Sequence, residues 1–97
     1  MIKLNEKYLV RCDRSGVFYG EIIEIQGTTV KIKNARKIFY WTGANCLEQL
    51  SMEGTKNPSD CKFTMVVDEI VIFDLIQLLP CSECAIVNIE GVREWKK

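Results

Sequence analysis

The feature that most constrains this chain is a run of three strand-like segments joined by tight turns between Val17 and Trp41. Val17 to Ile25 is rich in residues suited to a pleated surface, with Gly20 marking a bulge or bend. Gln26-Gly27 closes a hairpin onto Thr28 to Lys33, where Val30 and Ile32 face one way and Lys31 and Lys33 the other. Asn34-Ala35 reads as another tight connection, and Lys37 to Trp41 as the third arm of a meander. Ahead of it, Tyr8 to Cys12 is a short strand. The turn Asp13-Arg14-Ser15-Gly16 ends it, since Asp and Ser can bond their own backbone and Gly tolerates positive φ.

Beyond Trp41 the pattern changes. Thr42-Gly43-Ala44 breaks the strand, and Asn45 is expected to cap a helix with Cys46, Leu47 and Leu50 on its apolar stripe and Gly54 at its end. A polar loop, Thr55 to Asp60, leads to renewed alternation from Cys61 to Val67. In Ile70 to Leu79 the β-branched Ile70, Val71, Ile72 and Ile76 favour a strand, although Asp74 and Gln77 would also share a helix face. The strand reading is taken, with Pro80 as its stop. Ser82 is expected to cap a helix over 83–90 ended by Gly91, and Val92 to Trp95 to add an edge strand. The fold class is therefore α+β: one domain, residues 1–97, built as an antiparallel meander plus a second hairpin. It forms a curled sheet or open barrel with one or two short helices. So small a sheet leaves edges to be covered, and a homo-oligomer, a dimer or closed ring, is expected.

Composition narrows the function. Of 97 residues, 47% are hydrophobic and 27% charged, which suits a folded domain rather than a disordered chain. Thirteen basic and 13 acidic residues cancel, so no long-range field draws the chain to nucleic acid or anionic membrane, though a local basic patch is compatible with that balance. The first residues lack the apolar stretch of a signal peptide, and the apolar run at 70–80 is too short to span a bilayer. A cytoplasmic location, with no membrane partner, is expected. The odd cysteine count of 5 then argues for free thiols. Cys81-Ser82-Glu83-Cys84 has zinc-like spacing, but a second ligand pair is missing and the chain has no histidine. No metal and no cofactor are expected. Without histidine or a phosphate-binding glycine loop, no catalytic residues are assigned and the chain is read as a non-enzyme.

One cluster does suggest binding. Arg36-Lys37-Ile38-Phe39-Tyr40-Trp41 interleaves cations with aromatics, equipment for stacking a base and holding its phosphate. Simple alternation puts Arg36, Ile38 and Tyr40 on one face and Lys37, Phe39 and Trp41 on the other. Arg11 and Arg14 flank a turn, and turns carry binding groups on a rigid scaffold. The candidate ligand-binding residues are thus Arg11, Arg14, Arg36, Tyr40 and Trp41. The alternative is that these aromatics are core or a subunit interface.

Residues 8–18, 38–44, Leu47, Leu50, the Lys62-Phe63 strand and Trp95 together resemble a family of small uncharacterised phage and prophage proteins. Its most specific element is the aromatic-Trp-x-Gly-Ala segment ahead of the short helix. The resemblance implies a viral origin and an accessory role, and carries over no catalytic residue. By analogy of context it points to a phage-encoded binding protein that inhibits host antiviral defence, by sequestering a nucleotide signal or capping a host defence protein. A nucleic-acid or structural accessory module of the phage is the alternative, and a cysteine-based metal or redox protein a third.

Overall fold

The computed structural model describes residues 2–97. It contains strands β1 (Lys7–Cys12), β2 (Val17–Gln26), β3 (Thr29–Tyr40), β4 (Lys62–Phe63), β5 (Val67–Ile72) and β6 (Leu75–Pro80), with helices α1 (Leu47–Glu53) and α2 (Glu83–Glu90). The strands form one antiparallel sheet in the order β4-β3-β2-β1-β6, with β5 also pairing to β3. The α+β class and the two short helices stand as the sequence implied, whereas the meander is made by β1, β2 and β3 rather than by three strands between Val17 and Trp41. The sheet is curled and left open, because β5 and β6 join opposite strands of the meander and do not pair with each other.

Alternate residues of β1 and β2 enter two different cores. Tyr8, Val10, Phe18 and Ile22 line the inside of the curl with Val30, Ile32, Ala35 and Ile72. Leu9 and Tyr19 face the other way, against Leu47 and Leu50 of α1 and Ala85 and Ile89 of α2. Covering both faces explains why Tyr8 to Val10 and Val17 to Tyr19 read as nearly unbroken apolar runs. The free polar side lies further along the meander, where Lys33 pairs with Glu21 at 3.5 Å and Lys31 lies between Glu24 and Glu69.

The curl comes from bulges. On β3, Asn34 and Ala35 oppose the single residue Gly20 of β2, and Asn34 has φ 48°. A Cβ at Gly20 would lie 3.1 Å from that of Ala35 and 3.2 Å from that of Ile32, so a side chain there would require its neighbours to give by a few tenths of an ångström. The extra residue reverses the inward and outward pattern, which is why Val30 and Ile32 face one core while Arg36 and Ile38 face the other. Asn34-Ala35 is therefore not a turn but a bulge in one 12-residue strand.

Three other expectations are corrected. Ile70 to Leu79 is not one strand, since the chain turns at Phe73-Asp74, a pair without Gly or Pro to signal it. No second hairpin forms, because β5 extends the sheet from β3 and β6 from β1. Val92 to Trp95 contributes only an isolated bridge between Phe63 and Glu94. Among the caps, Ser82 works as expected, its hydroxyl accepting from the Ala85 N–H at 3.1 Å. Asn45 does not cap α1: its backbone N–H instead donates to the Gln49 side chain, and Cys46 occupies the cap position. Gly54 does end that helix, at φ 77°, with the Asn88 side chain seated where its Cβ would stand.

The corner between β5 and β6 ties the curl together. Asp74 accepts from the backbone N–H groups of Arg14 and Ser15 at 2.6 and 2.9 Å and from the Ser15 hydroxyl at 2.6 Å. Leu75 N–H reaches Thr28 O, so the turns at both ends of β2 meet this one corner. The Ser15 hydroxyl first, then the two backbone N–H groups, lower the Asp74 pKa to about 2. Its folded value lies below its unfolded one, so the stabilisation is complete above about pH 5 and lost as pH falls toward about 2. Acid unfolding followed by circular dichroism should therefore show a stability decline over that window that is shallower in Asp74→Asn. Equal declines in the two proteins would contradict this role.

Candidate functional site

The basic and aromatic cluster of β3 is split by the fold. Arg36 is 2% exposed and points into the protein. Its Nε donates to Thr64 O at 2.9 Å, Nη1 to Ile89 O and Val92 O at 3.1 and 2.9 Å, and Nη2 to Phe63 O at 3.4 Å. Ile89 is in the last turn of α2 and Val92 lies two residues beyond it, where the terminal carbonyls carry the negative end of the helix dipole. Burial pulls the Arg36 pKa down from its ordinary value, with Glu94 and Tyr19 opposing. The structure gives this ligand-binding candidate a packing role: the guanidinium is a clamp joining β3, the strand β4 and the end of α2.

Tyr40, by contrast, is turned outward. Ile38 pairs with Phe63 and Tyr40 with Lys62, which leaves Phe39 as an extra residue between them. A bulge of this kind re-aims side chains, and Phe39 and Tyr40 are 58% and 49% exposed. Trp41 is half-buried and packs on the core beneath the helices. Beside Phe39 stands Trp95, 46% exposed, its ring stacked on Phe39 at 4.8 Å between centroids and 21° between planes. The Trp95 backbone N–H donates to Phe63 O at 2.8 Å, which anchors the C-terminal segment to β4. The Lys62 ammonium lies 5.5 Å from the Trp95 ring centroid.

A groove of about 410 Å³ opens from this platform, between the single helical turn Pro58–Asp60 and the C-terminal segment. It is lined by Ser59, Cys61, Gly91, Arg93, Glu94 and Trp95. Glu94 is paired with Lys96 at 3.2 Å, and that pair lowers its pKa. Arg93 in the groove and Lys62 beside Trp95 are both exposed. The site thus joins two stacked aromatic rings to a locally basic edge on a chain whose net charge is zero.

Arg11 and Arg14 are both exposed, but the fold does not bring them to this platform. Arg11 pairs with Val17 and Gln77, so β2 stands between it and the strand that carries Tyr40. Arg14 sits in the turn bound to Asp74 through its backbone. Phe39, Lys62, Arg93 and Trp95 were not among the sequence-derived candidates. Phe39 lay inside the aromatic run, but strict alternation placed it with Trp41, and nothing local connects residue 39 to residue 95.

A second polar pocket, about 340 Å³, is lined by Lys7, Tyr19, Asn34, Arg36, Val66 and Glu90. The Tyr19 hydroxyl and the Lys7 ammonium both donate to Glu90 Oε2 at 2.6 Å. Burial, then the Glu90 hydrogen bond, pushes the Tyr19 pKa far up, so the phenol is neutral and acts as a donor. The three side chains are thus hydrogen-bonded through Glu90 at the protein surface.

The cysteines are five free thiols. Cys12 and Cys81 are pushed up to about 11, chiefly by burial, which makes them poor nucleophiles. Among the described residues, no three His, Cys, Asp or Glu side chains converge as a metal-binding group, and no helix is long and apolar enough to cross a membrane.

A β-rich α+β domain with an exposed aromatic and basic edge defines the class of protein. The chain belongs to the DUF6948 family, a domain of unknown function, whose pattern matches residues 5–89. Phe39, Tyr40 and Lys62 lie inside the matched segment, whereas Arg93 and Trp95 lie beyond it. No curated protein and no solved structure matches the chain.

Proposed function

We propose that this protein is a non-enzymatic binding module that captures a nucleobase-bearing anion on the Phe39–Trp95 platform. The observation that carries this reading is the exposed stack of Phe39 on Trp95 with the Lys62 ammonium beside it. An aromatic face takes any base, and neighbouring cations take the phosphate. The absence of histidine from the sequence supports capture rather than catalysis. The resemblance to phage and prophage proteins supports a phage-encoded inhibitor of host defence working in the host cytoplasm. The captured species would then be a nucleotide signal of the host. Capping of a host defence protein by the same face is the competing mode. The test is Trp95 fluorescence in a Trp41→Phe background, titrated with deoxyadenosine 5′-monophosphate. Saturable quenching supports the platform, and unchanged emission at millimolar ligand overturns it.

The proposal extends to a second copy of the chain as a partner. β5 is paired along one edge only, and Val67, Val71 and Phe73 are exposed on and beside it. Such an edge recruits another strand. Light scattering should give twice the 11.2 kDa chain mass at high concentration, and Val71→Lys should return it to one chain. A single-chain mass throughout would contradict the dimer.

A further inference from the structure

We infer that the platform and its groove take a single-stranded nucleic acid chain more tightly than a free mononucleotide, an inference that rests on the binding reading above. Trp95 belongs to both features: it stacks on Phe39 and also lines the groove that leads away past Arg93 and Ser59. A base held on the platform therefore has its next phosphate beside the groove in which Arg93 stands.

Two cations are available to successive phosphates: Lys62 stands over the Trp95 ring, and Arg93 lines the groove. The carboxylates on this side are Asp60 and Glu94, and Glu94 is already paired with Lys96. A site built for one nucleotide would enclose the base and read its edge with fixed polar groups. Here the rings are open to solvent, and the nearby buried polar groups, those of Arg36 and Thr55, are committed to backbone carbonyls. Open stacking with cations along a groove gives sequence-tolerant binding that strengthens with chain length.

The experiment is competition against a fluorescein-labelled deoxyadenylate octamer, read by anisotropy, with deoxyadenosine 5′-monophosphate and unlabelled dimer, tetramer and octamer. Affinity should rise at least about tenfold from the monophosphate to the tetramer, as stacking and phosphate contacts accumulate. The slope of log K against log salt for the tetramer should be about −1.4, matching two phosphate contacts at about −0.7 each. Arg93→Ala, at an exposed position, should reduce that slope by about 0.7 while leaving the circular dichroism unchanged. Equal affinity for monophosphate and octamer, with no salt slope, would overturn the nucleic-acid inference and leave the binding reading in place. Binding of neither would remove both.

Discussion

Replacing Arg36 by methionine is expected to lower folding stability by about 2–6 kcal/mol, the largest effect of any single substitution considered for this protein. The side chain bonds four backbone carbonyls. Two of them keep another partner, since Phe63 O accepts from Trp95 N–H and Ile89 O from Val92 N–H. Thr64 O and Val92 O lose the donor that Arg36 supplies, and a buried acceptor left unpaired costs about 1–3 kcal/mol. That loss is large against a typical domain stability of about 5–15 kcal/mol. Arg36→Lys should recover little, because a single ammonium cannot reproduce the fork that spans β4 and the end of α2. Urea unfolding reads the effect as a lower midpoint at unchanged slope. An unaltered midpoint in the methionine variant would mean that these carbonyls are satisfied without the guanidinium. The same clamp holds Phe63 and Val92, which flank the segment carrying Trp95, so its loss should also blur the platform.

Phe39→Ala is expected to weaken ligand binding by about 1–3 kcal/mol, roughly ten- to hundredfold, while leaving the fold intact. Phe39 is 58% exposed and sits at a bulge, so truncation opens no core cavity. Trp95→Ala should weaken binding to a similar degree. The double variant should lose less than the sum, because the two rings support each other at 4.8 Å. Trp41→Ala should behave in the opposite way. Its ring packs on the core beneath the helices, so stability falls first. Anisotropy with the labelled octamer, paired with thermal melts, separates these outcomes. Full affinity in a folded Phe39→Ala protein would exclude the ring from the site.

The elements whose patterning stays uniform were legible in the chain. Tyr8 to Cys12 and the hairpin after Gln26 follow from β-rich composition and period-two alternation, and the Ser82 and Gly54 signals place the ends of both helices. Legibility failed where one residue changes the parity of a strand. Asn34 has the chemistry of a turn, and the same tolerance of positive φ lets it form a bulge inside β3. That bulge, and the second at Phe39, decide which of residues 36–41 are buried, so a straight alternation could not sort them. The burial of Arg36 was unreadable for the same reason: beside three aromatics it looks like a ligand clamp, and only the packing of α2 over β3 turns it inward. Trp95 was unreadable as a site residue because its partner lies 56 positions earlier in the chain, and their contact exists only once β4 and the C-terminal segment dock. The turn at Phe73-Asp74 carries no breaker residue. Its stability comes from Ser15 and Thr28, on distant turns.

The central claim is one of location: a nucleobase-bearing anion settles on the face formed by Phe39, Tyr40, Lys62, Arg93 and Trp95. Its most direct test is a two-dimensional ¹⁵N–¹H spectrum of the protein titrated with deoxyadenosine 5′-monophosphate. The predicted result is saturable shifts confined to the amides of residues 39–40, 62–63 and 93–96 and the Trp95 indole N–H, with Arg11, Arg14 and the Lys7–Tyr19–Glu90 pocket unmoved. Shifts centred on that pocket, or none at saturating ligand, would contradict it.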